Sequence, residues 1–144
     1  MLFALSNPTS RAECTAKQAY QWSRGHAIFA SGSPFGLVTY DGREYRPGQG
    51  NNAYVFPGIG LGAVVCRARR IPDEFFLTAA CTLAGLVTAK DLEIGALYRP
   101  LRDIRLISLA IATSVADCAY TMNLARAKRP RNLRQAIARS MYEP

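Results

Sequence analysis

Two loops rich in Asn, Pro and Gly constrain the fold most, because each follows a predicted strand and precedes a predicted helix. The first spans residues 5–9 (LSNPT) and the second spans residues 47–52 (PGQGNN). Strands that alternate with helices in this way predict an α/β fold with a short parallel sheet. Open α/β sheets bind their ligands in loops at the carboxyl ends of strands. We therefore expect these two loops to form a shared ligand site.

Asparagine is the residue type that marks these loops as a candidate site. Asn7 lies in the first loop, and Asn51 and Asn52 end the second. A carboxamide offers a neutral acceptor and two donors, so it can hold a carboxylate or a hydroxyl without adding charge. Asn also occurs in turns for local backbone reasons, and that interpretation stays open for each residue taken alone. Three of them in two strand-end loops favour binding of a small acid.

The same loops carry a resemblance to the malic enzymes. The similar segments are residues 3–16 (FALSNPTSRAECTA), 29–35 (FASGSPF), 47–58 (PGQGNNAYVFPG), 84–100 and 140–144 (SMYEP). Malic enzymes oxidise malate with NAD or NADP and a divalent metal, Mg or Mn, and decarboxylate the product to pyruvate. The resemblance implies that Asn7, Asn51 and Asn52 bind malate. It also implies that Ser6 and Asn7 contact the nicotinamide cofactor.

The resemblance assigns residues 1–144 to the carboxyl-terminal part of a malic enzyme NAD(P)-binding domain, incomplete at its start. The implied fold is a partial Rossmann-like nucleotide-binding domain. It has a short parallel sheet, a β-hairpin flap and a mostly helical carboxyl-terminal half. The family's acid and base, its metal-binding carboxylates and its phosphate loop would lie upstream of residue 1. We therefore expect no catalytic residue and no metal ligand in this chain, and no activity from the chain alone.

Several partners follow from the same resemblance. They are malate or pyruvate as the small-molecule substrate, the remainder of the malic enzyme chain, and other copies in a homo-oligomer. The alternative is a truncated, non-catalytic relative that acts as a subunit-interaction module. The expected location is the cytoplasm, and a mitochondrial or plastid location stays open if a preceding segment carries a transit peptide. The ribose-reading residues are not in the chain, so the preference between NAD and NADP stays open.

Composition supports a globular protein of one domain's length, with 144 residues, 49% hydrophobic and 19% charged. Residues 1–5 are too short for the apolar region of a signal peptide and have no basic residue before them, and Pro57 and three glycines interrupt the longest apolar stretch, residues 53–66. A membrane partner is therefore not expected.

The four cysteines are widely spaced and the chain has one His, which is not a zinc pattern. We expect all four thiols to be reduced and mostly buried.

The net charge of +8 is concentrated near the end of the chain, where residues 126–139 hold six basic residues and no acid. Such a segment can bind nucleic acid through phosphates. However, no aromatic residues alternate with the basic ones to stack on bases. We interpret the segment as a solvated helix or as a surface that meets acidic residues of a partner, and we do not expect nucleic-acid binding.

Local signals predict the individual elements. The sequence predicts strands over residues 2–5 and 27–31 and a hairpin at Asp41-Gly42. It predicts capping boxes at Ser10–Glu13 and Thr15–Gln18. Helices are predicted over residues 56–70, 73–87, 101–124 and 132–141, and Thr88 begins a further short helix. The helix 101–124 is expected to be largely buried. Glycines 58, 60 and 62 would destabilise their helix, so we expect another backbone to pack closely against it, and close approach of a bound cofactor is the alternative.

Residues 48–53 (GQGNNA) satisfy the G-x-G-x-x-G/A dinucleotide pattern literally. That fingerprint requires a strand–helix–strand unit with an acidic residue about twenty positions later. Here a hairpin precedes the glycines and helices follow them. We therefore do not interpret this segment as a phosphate-binding loop.

Overall fold

A parallel sheet of three short strands organises the first of two units. The computed structural model describes residues 1–142, and the first unit comprises residues 1–51 and 87–99. Its strands include β1 (Leu2–Ala4) and β2 (Phe29–Ser31), which are parallel, with Ala4 opposite Ser31. The predicted strands are confirmed, but each is shorter than expected, since β1 ends at Ala4 and β2 begins at Phe29.

A hairpin forms a separate two-stranded sheet in this unit. It consists of β3 (Val38–Tyr40) and β4 (Arg43–Tyr45), joined by Asp41 and Gly42 with φ of +51° and +71°. Positive φ at both central residues gives the turn that antiparallel pairs favour, so the predicted hairpin is confirmed. Its description as a surface flap is incomplete, because Tyr45 is buried and belongs to the core of the unit.

The third parallel strand, β5 (Gly48–Gln49), lies inside the segment that the sequence assigned to a loop. It pairs with β2, with Ala30 opposite Gly48 and Ser31 opposite Gln49, so the strand order is β1-β2-β5. Two residues carry no measurable periodicity, and their pairing depends on a strand about twenty positions away. The second asparagine loop therefore starts at Gly50.

Aromatic side chains and alanines form the core of the first unit. α1 (Ala16–Trp22) begins at Thr15, where the predicted capping box with Gln18 is present. Tyr20 of this helix stacks on Tyr45 with ring centroids 4.4 Å apart. Burial raises the pKa of Tyr20 to about 12. The short helix α4 (Ala89–Glu93) begins at Thr88 as predicted.

The second unit, residues 52–86 and 100–142, contains four α-helices among the described residues. They are α2 (Phe56–Val65), α3 (Asp73–Gly85), α5 (Ile104–Thr121) and α6 (Leu133–Arg139), with 3-10 helices at Asn52–Tyr54 and Leu101–Asp103. The mostly helical second half is thus confirmed. The predicted α2 was too long, because Arg67 has a φ of +53° and Ala68 pairs with Ala125 instead. Glu143 and Pro144, the end of the family resemblance, lie outside the described residues.

Helix α5 packs one face against α2 and α3. Ile107, Ile111 and Val115, which helical spacing places on that face, are fully buried. Of the 18 residues of α5, seven are buried, eight are half-buried and three are exposed, so the expected burial is complete on one face only. Leu106, away from that face, is 60% exposed. Residues 101–121 are long and apolar enough to cross a membrane by length and composition alone. A helix that buries one face in a protein core has the same apolar composition, and α5 buries such a face.

Glycines in α2 allow α5 to approach closely. A Cβ on Gly58 would lie 2.7 Å from Ile111 Cβ, and one on Gly62 would lie 2.7 Å from the carbonyl oxygen of Ala112. The prediction of close packing is confirmed for these two glycines. It was wrong for Gly60, where a Cβ would meet nothing within 4 Å.

The cysteines are free thiols, as expected. Cys14 and Cys66 are buried, and burial raises the pKa of both thiols. Cys118 is half-buried and Cys81 is exposed. The expectation of mostly buried thiols therefore holds for Cys14 and Cys66 and was wrong for Cys81.

One arginine of the basic segment has partners within the second unit. Arg129 forms an ion pair with Asp117 of α5, and its guanidinium lies 5.4 Å from the centre of the Tyr120 ring. Both charged side chains are about half exposed, so this surface pair contributes little to stability.

Candidate functional site

The carboxyl ends of the three parallel strands bring two of the predicted site residues to one edge of the sheet. Asn7 follows β1 and Asn51 follows β5, with β2 between these strands. Since neighbouring strands lie about 4.8 Å apart, the ends of β1 and β5 are separated by about 10 Å. Asn52 opens the first 3-10 helix of the second unit, and its role stays a prediction from the resemblance.

Backbone hydrogen bonds extend beyond the strands and hold the three loops together. The N–H of Gly32 donates to the Ala4 carbonyl at 3.0 Å, and the N–H of Gly50 donates to the Ser31 carbonyl at 2.8 Å. The Gln49 side-chain N–H donates to the Gly32 carbonyl at 3.4 Å. The loops after β1, β2 and β5 therefore form one connected structure.

Glycine at two loop positions permits this close approach. A Cβ on Gly32 would lie 2.3 Å from the Leu5 carbonyl oxygen, a distance that a backbone atom cannot accommodate. A Cβ on Gly50 would lie 3.1 Å from the Leu5 side chain. Glycine is therefore required at position 32, whereas at position 50 the exposed Leu5 side chain would have to shift by a few tenths of an ångström.

Asn7 is exposed, and the oxygen of its carboxamide accepts a hydrogen bond from a neighbouring loop. The Ser33 hydroxyl donates to Asn7 Oδ1 at 2.6 Å. Ser33 is buried, and its own carbonyl accepts a hydrogen bond of 2.7 Å from the fully buried Ser31 hydroxyl. The peptide bond between Asn7 and Pro8 is cis. The amide nitrogen of Asn7 remains available to a ligand in the loop.

Ser6, the other predicted cofactor contact, is held by Glu13. Its hydroxyl donates to Glu13 Oε1 at 2.6 Å and its N–H donates to Oε2 at 3.4 Å. The Ser6 hydroxyl lowers the pKa of Glu13, because the bond favours the carboxylate form. The predicted capping box between Ser10 and Glu13 was therefore wrong. With its proton used in this bond, the Ser6 hydroxyl can offer a cofactor only an acceptor.

Sequence reasoning missed the residues that support the two candidate contacts. Ser33 received no role in the site, and Glu13 was interpreted only as a helix cap. Gly32 and Gln49 received no role in the site. The available signal was a run of small residues, Ser31-Gly32-Ser33, directly after a predicted buried strand.

The glycines that match the dinucleotide pattern have packing roles. Gly48 is part of β5, and a Cβ there would lie 3.2 Å from Ala30 Cβ and 3.3 Å from Tyr98 Cδ2. The next regular elements are the 3-10 helix Asn52–Tyr54 and the helices α2 and α3, which follow without a strand. This is not the strand–helix–strand unit that binds a pyrophosphate.

No group of three or more His, Cys, Asp and Glu residues among residues 1–142 could hold a metal ion. An apolar cleft of about 360 Å³ lies in the second unit, and none of the three asparagines lines it. It is lined by Pro57, Leu61, Ile104, Arg105, Ser108, Ser140, Met141 and Tyr142. The candidate site is therefore the strand-end loops of the first unit, with neutral hydrogen-bonding groups. Such a site can bind and orient an anion or a carboxamide.

Comparison with known proteins gives a consistent result. Residues 1–120 match the family model described as malic enzyme, NAD binding domain. The chain is 52% identical to an NADP-dependent malic enzyme of Populus trichocarpa, over 100% of this chain and 24% of that protein. It is 49% identical to one of Dictyostelium discoideum, over 100% of this chain and 26% of that protein. A chloroplastic NADP-dependent malic enzyme of Oryza sativa subsp. japonica is 50% identical, over 100% of this chain and 23% of that protein.

Solved structures agree with the family match. The crystal structure of a malic enzyme from Pyrococcus horikoshii Ot3 superposes with a TM-score of 0.68 at 27% identity, covering 95% of this chain and 28% of that one. A malic enzyme from Entamoeba histolytica supports the fold alone, with a TM-score of 0.69 at 24% identity, covering 96% of this chain and 25% of that one. The chain spans about a quarter of the length of the curated relatives it matches. It belongs to the malic enzyme family, and its residues 1–120 match the NAD-binding domain of that family.

Proposed function

We propose that this chain orients malate in a malic enzyme that converts malate to pyruvate and CO₂ with NAD(P). The observation that carries the proposal is the position of Asn7 and Asn51 in adjoining loops at one sheet edge, in a chain whose residues 1–120 match the family. The alternative of a non-catalytic interaction module is not favoured, because the relatives that match the whole of this chain are named NADP-dependent malic enzymes.

Each asparagine has a proposed role. Asn7 donates from its amide nitrogen to an oxygen of malate beside the nicotinamide ring. Asn51 and Asn52, which are adjacent in the chain, hold the carboxylate or hydroxyl of malate. Neutral groups fix the reacting carbon in place without shifting the pKa of nearby acids and bases.

The donor set fits a nicotinamide cofactor. Asn7 offers amide N–H groups and Ser6 offers a hydroxyl acceptor, which complement a carboxamide. When bound, NAD(P) supplies the hydride acceptor, and the NADP-dependent relatives favour NADP. The described residues do not fit a divalent metal, since they form no cluster of ligands. The Mg or Mn of the proposed enzyme would therefore be held by residues outside this set.

The proposed partners are the remainder of the enzyme chain and further copies in a homo-oligomer. Some relatives are named chloroplastic, which favours a plastid location. The cytoplasm is the other candidate compartment, since other relatives carry no compartment in their names.

A chimaera tests the function directly. The matching quarter of the Populus trichocarpa enzyme is replaced by this chain, and NADPH and pyruvate formation from malate are measured with Mg or Mn. We expect turnover by the chimaera and none by the 144-residue chain alone. Asn7→Ala, Asn51→Ala and Asn52→Ala should each lower kcat/KM by about ten- to a hundredfold, the effect of losing a hydrogen bond to a charged group.

Gln21→Ala is the matched control, since it removes an exposed carboxamide from α1. It should leave kcat/KM unchanged. A chimaera that folds and binds NADP but does not oxidise malate would contradict the proposed activity. Asparagine variants with the kinetics of the unmodified chimaera would contradict the proposed site.

A further inference from the structure

Ser33 is a buried polar residue that the proposed function does not use. It is 8% exposed, and its hydroxyl reaches across from the loop after β2 to the loop after β1, where it donates to Asn7 Oδ1 at 2.6 Å. We propose that Ser33 is a positioning residue that commits Asn7 to act as a hydrogen-bond donor toward the ligand. This inference rests on the proposed role of Asn7 in malate binding.

The direction of the hydrogen bond determines what Asn7 can recognise. A serine hydroxyl has one proton, and here the Asn7 carbonyl oxygen receives it. The opposite end of the exposed carboxamide is the NH₂ group, which can only donate. The ligand atom that it meets must therefore be an acceptor, which a carboxylate or carbonyl oxygen of malate provides.

Two neighbours hold Ser33 in the position that this role requires. The Ser31 hydroxyl is fully buried and donates to the Ser33 carbonyl at 2.7 Å, which fixes the backbone that carries the Ser33 side chain. Between them, Gly32 lies directly against Asn7, since a Cβ there would lie 3.0 Å from Asn7 Nδ2. The Asn7 carboxamide is thus supported on one side by glycine and at its oxygen by Ser33.

Asn7→Asp tests the direction of recognition. Aspartate keeps the oxygen that accepts from Ser33 and nearly the same volume, but it replaces the NH₂ donor by a second acceptor. It also adds a negative charge, which repels the carboxylates of malate. In the chimaeric enzyme, we expect Asn7→Asp to raise the KM for malate at least as much as Asn7→Ala does. An Asn7→Asp enzyme with a KM near that of the unmodified chimaera would overturn the proposal, because Asn7 would then act as an acceptor.

Ser33→Ala tests the positioning role itself. Without the hydroxyl, the carboxamide is free to rotate, so we expect the KM for malate to rise by about tenfold, the equivalent of one hydrogen bond. The effect on kcat should be smaller. Ser33→Thr keeps the hydroxyl and should restore most of the affinity. A normal KM in a folded Ser33→Ala enzyme would overturn the proposal.

A structural control separates lost positioning from lost folding. Ser23→Ala removes a hydroxyl that accepts from the Ala27 N–H at 2.9 Å at the end of α1, away from the asparagine loops. It should lower the melting temperature without changing the KM. If Ser33→Ala fails to fold, a normal KM in Asn7→Asp still overturns the proposal.

The two proposals fail in different ways. A normal KM in Asn7→Ala would contradict the proposed function. A raised KM in Asn7→Ala together with a normal KM in Ser33→Ala would contradict only the role of Ser33.

Discussion

Two glycines of α2 offer a sharp test of how this helix packs, because the same substitution should have opposite effects two residues apart. Gly60 and Gly62 both lie in the helix interior. A Cβ on Gly60 meets nothing within 4 Å, whereas one on Gly62 lies 2.7 Å from the Ala112 carbonyl oxygen and 3.1 Å from Val115 Cβ. We therefore expect Gly60→Ala to stabilise the protein and Gly62→Ala to destabilise it.

The magnitude follows from two effects. Alanine is favoured over glycine in a helix interior by about 1 kcal/mol, and this gain applies to both variants. Overpacking costs about 1–3 kcal/mol. The upper part of that range applies to Gly62, because the contact is with backbone of α5 that cannot rotate away. The difference between the two variants cancels helix propensity, so it should be about 2–3 kcal/mol in the free energy of unfolding.

Urea denaturation followed by circular dichroism measures this difference. Unmodified protein, Gly60→Ala and Gly62→Ala are compared at equal concentration, with the slope of each transition checked for equality. A Gly62→Ala protein as stable as Gly60→Ala would refute the close approach of α2 and α5. Gly58→Ala should resemble Gly62→Ala, since its Cβ would lie 2.7 Å from Ile111 Cβ.

Two further predictions concern the first unit. Thr15→Ala removes the side chain that caps α1 and should lower the free energy of unfolding by about 1 kcal/mol, as measured by urea denaturation; an unchanged transition would contradict the capping role. For Glu13, hydrogen bonds from Ser6 favour the carboxylate, so NMR titration should give a pKa below the ordinary 4.5. Ser6→Ala should move that pKa back toward 4.5. The stabilisation by this bond should be present above pH 4.5 and lost as the pH falls through the lowered pKa; loss on raising the pH would contradict it.

Elements set by neighbouring residues were predictable from the sequence. The Thr15 and Thr88 capping boxes each depend on a partner three positions later, and the Asp41-Gly42 turn depends on two adjacent residues that tolerate positive φ. The buried stripe of α5 was predictable because helical spacing alone places its members on one face. Each of these signals is complete within a few residues.

Contacts between distant residues could not be assigned in this way. Glu13 had two serine hydroxyls within reach in sequence, and the local capping rule favoured Ser10. In the structure Glu13 accepts a hydrogen bond from Ser6, because the loop after β1 turns back toward Glu13. Likewise, β5 exists because Gly48 and Gln49 pair with β2, and no pattern within two residues can indicate a partner strand.

The candidate site combines both kinds of information. Residue type and the family resemblance single out the asparagines. Which residues lie next to Asn7, namely Gly32 and Ser33, is determined by the register between β1 and β2. That register places Ala4 opposite Ser31, and the bond from Gly32 N–H to the Ala4 carbonyl continues it into the loops. A slip of one residue would turn the side chains of β2 to the opposite face of the sheet. The hydrogen bond between Ser33 and Asn7 is therefore a consequence of strand pairing, which explains how an ordinary buried strand can determine the orientation of an exposed amide.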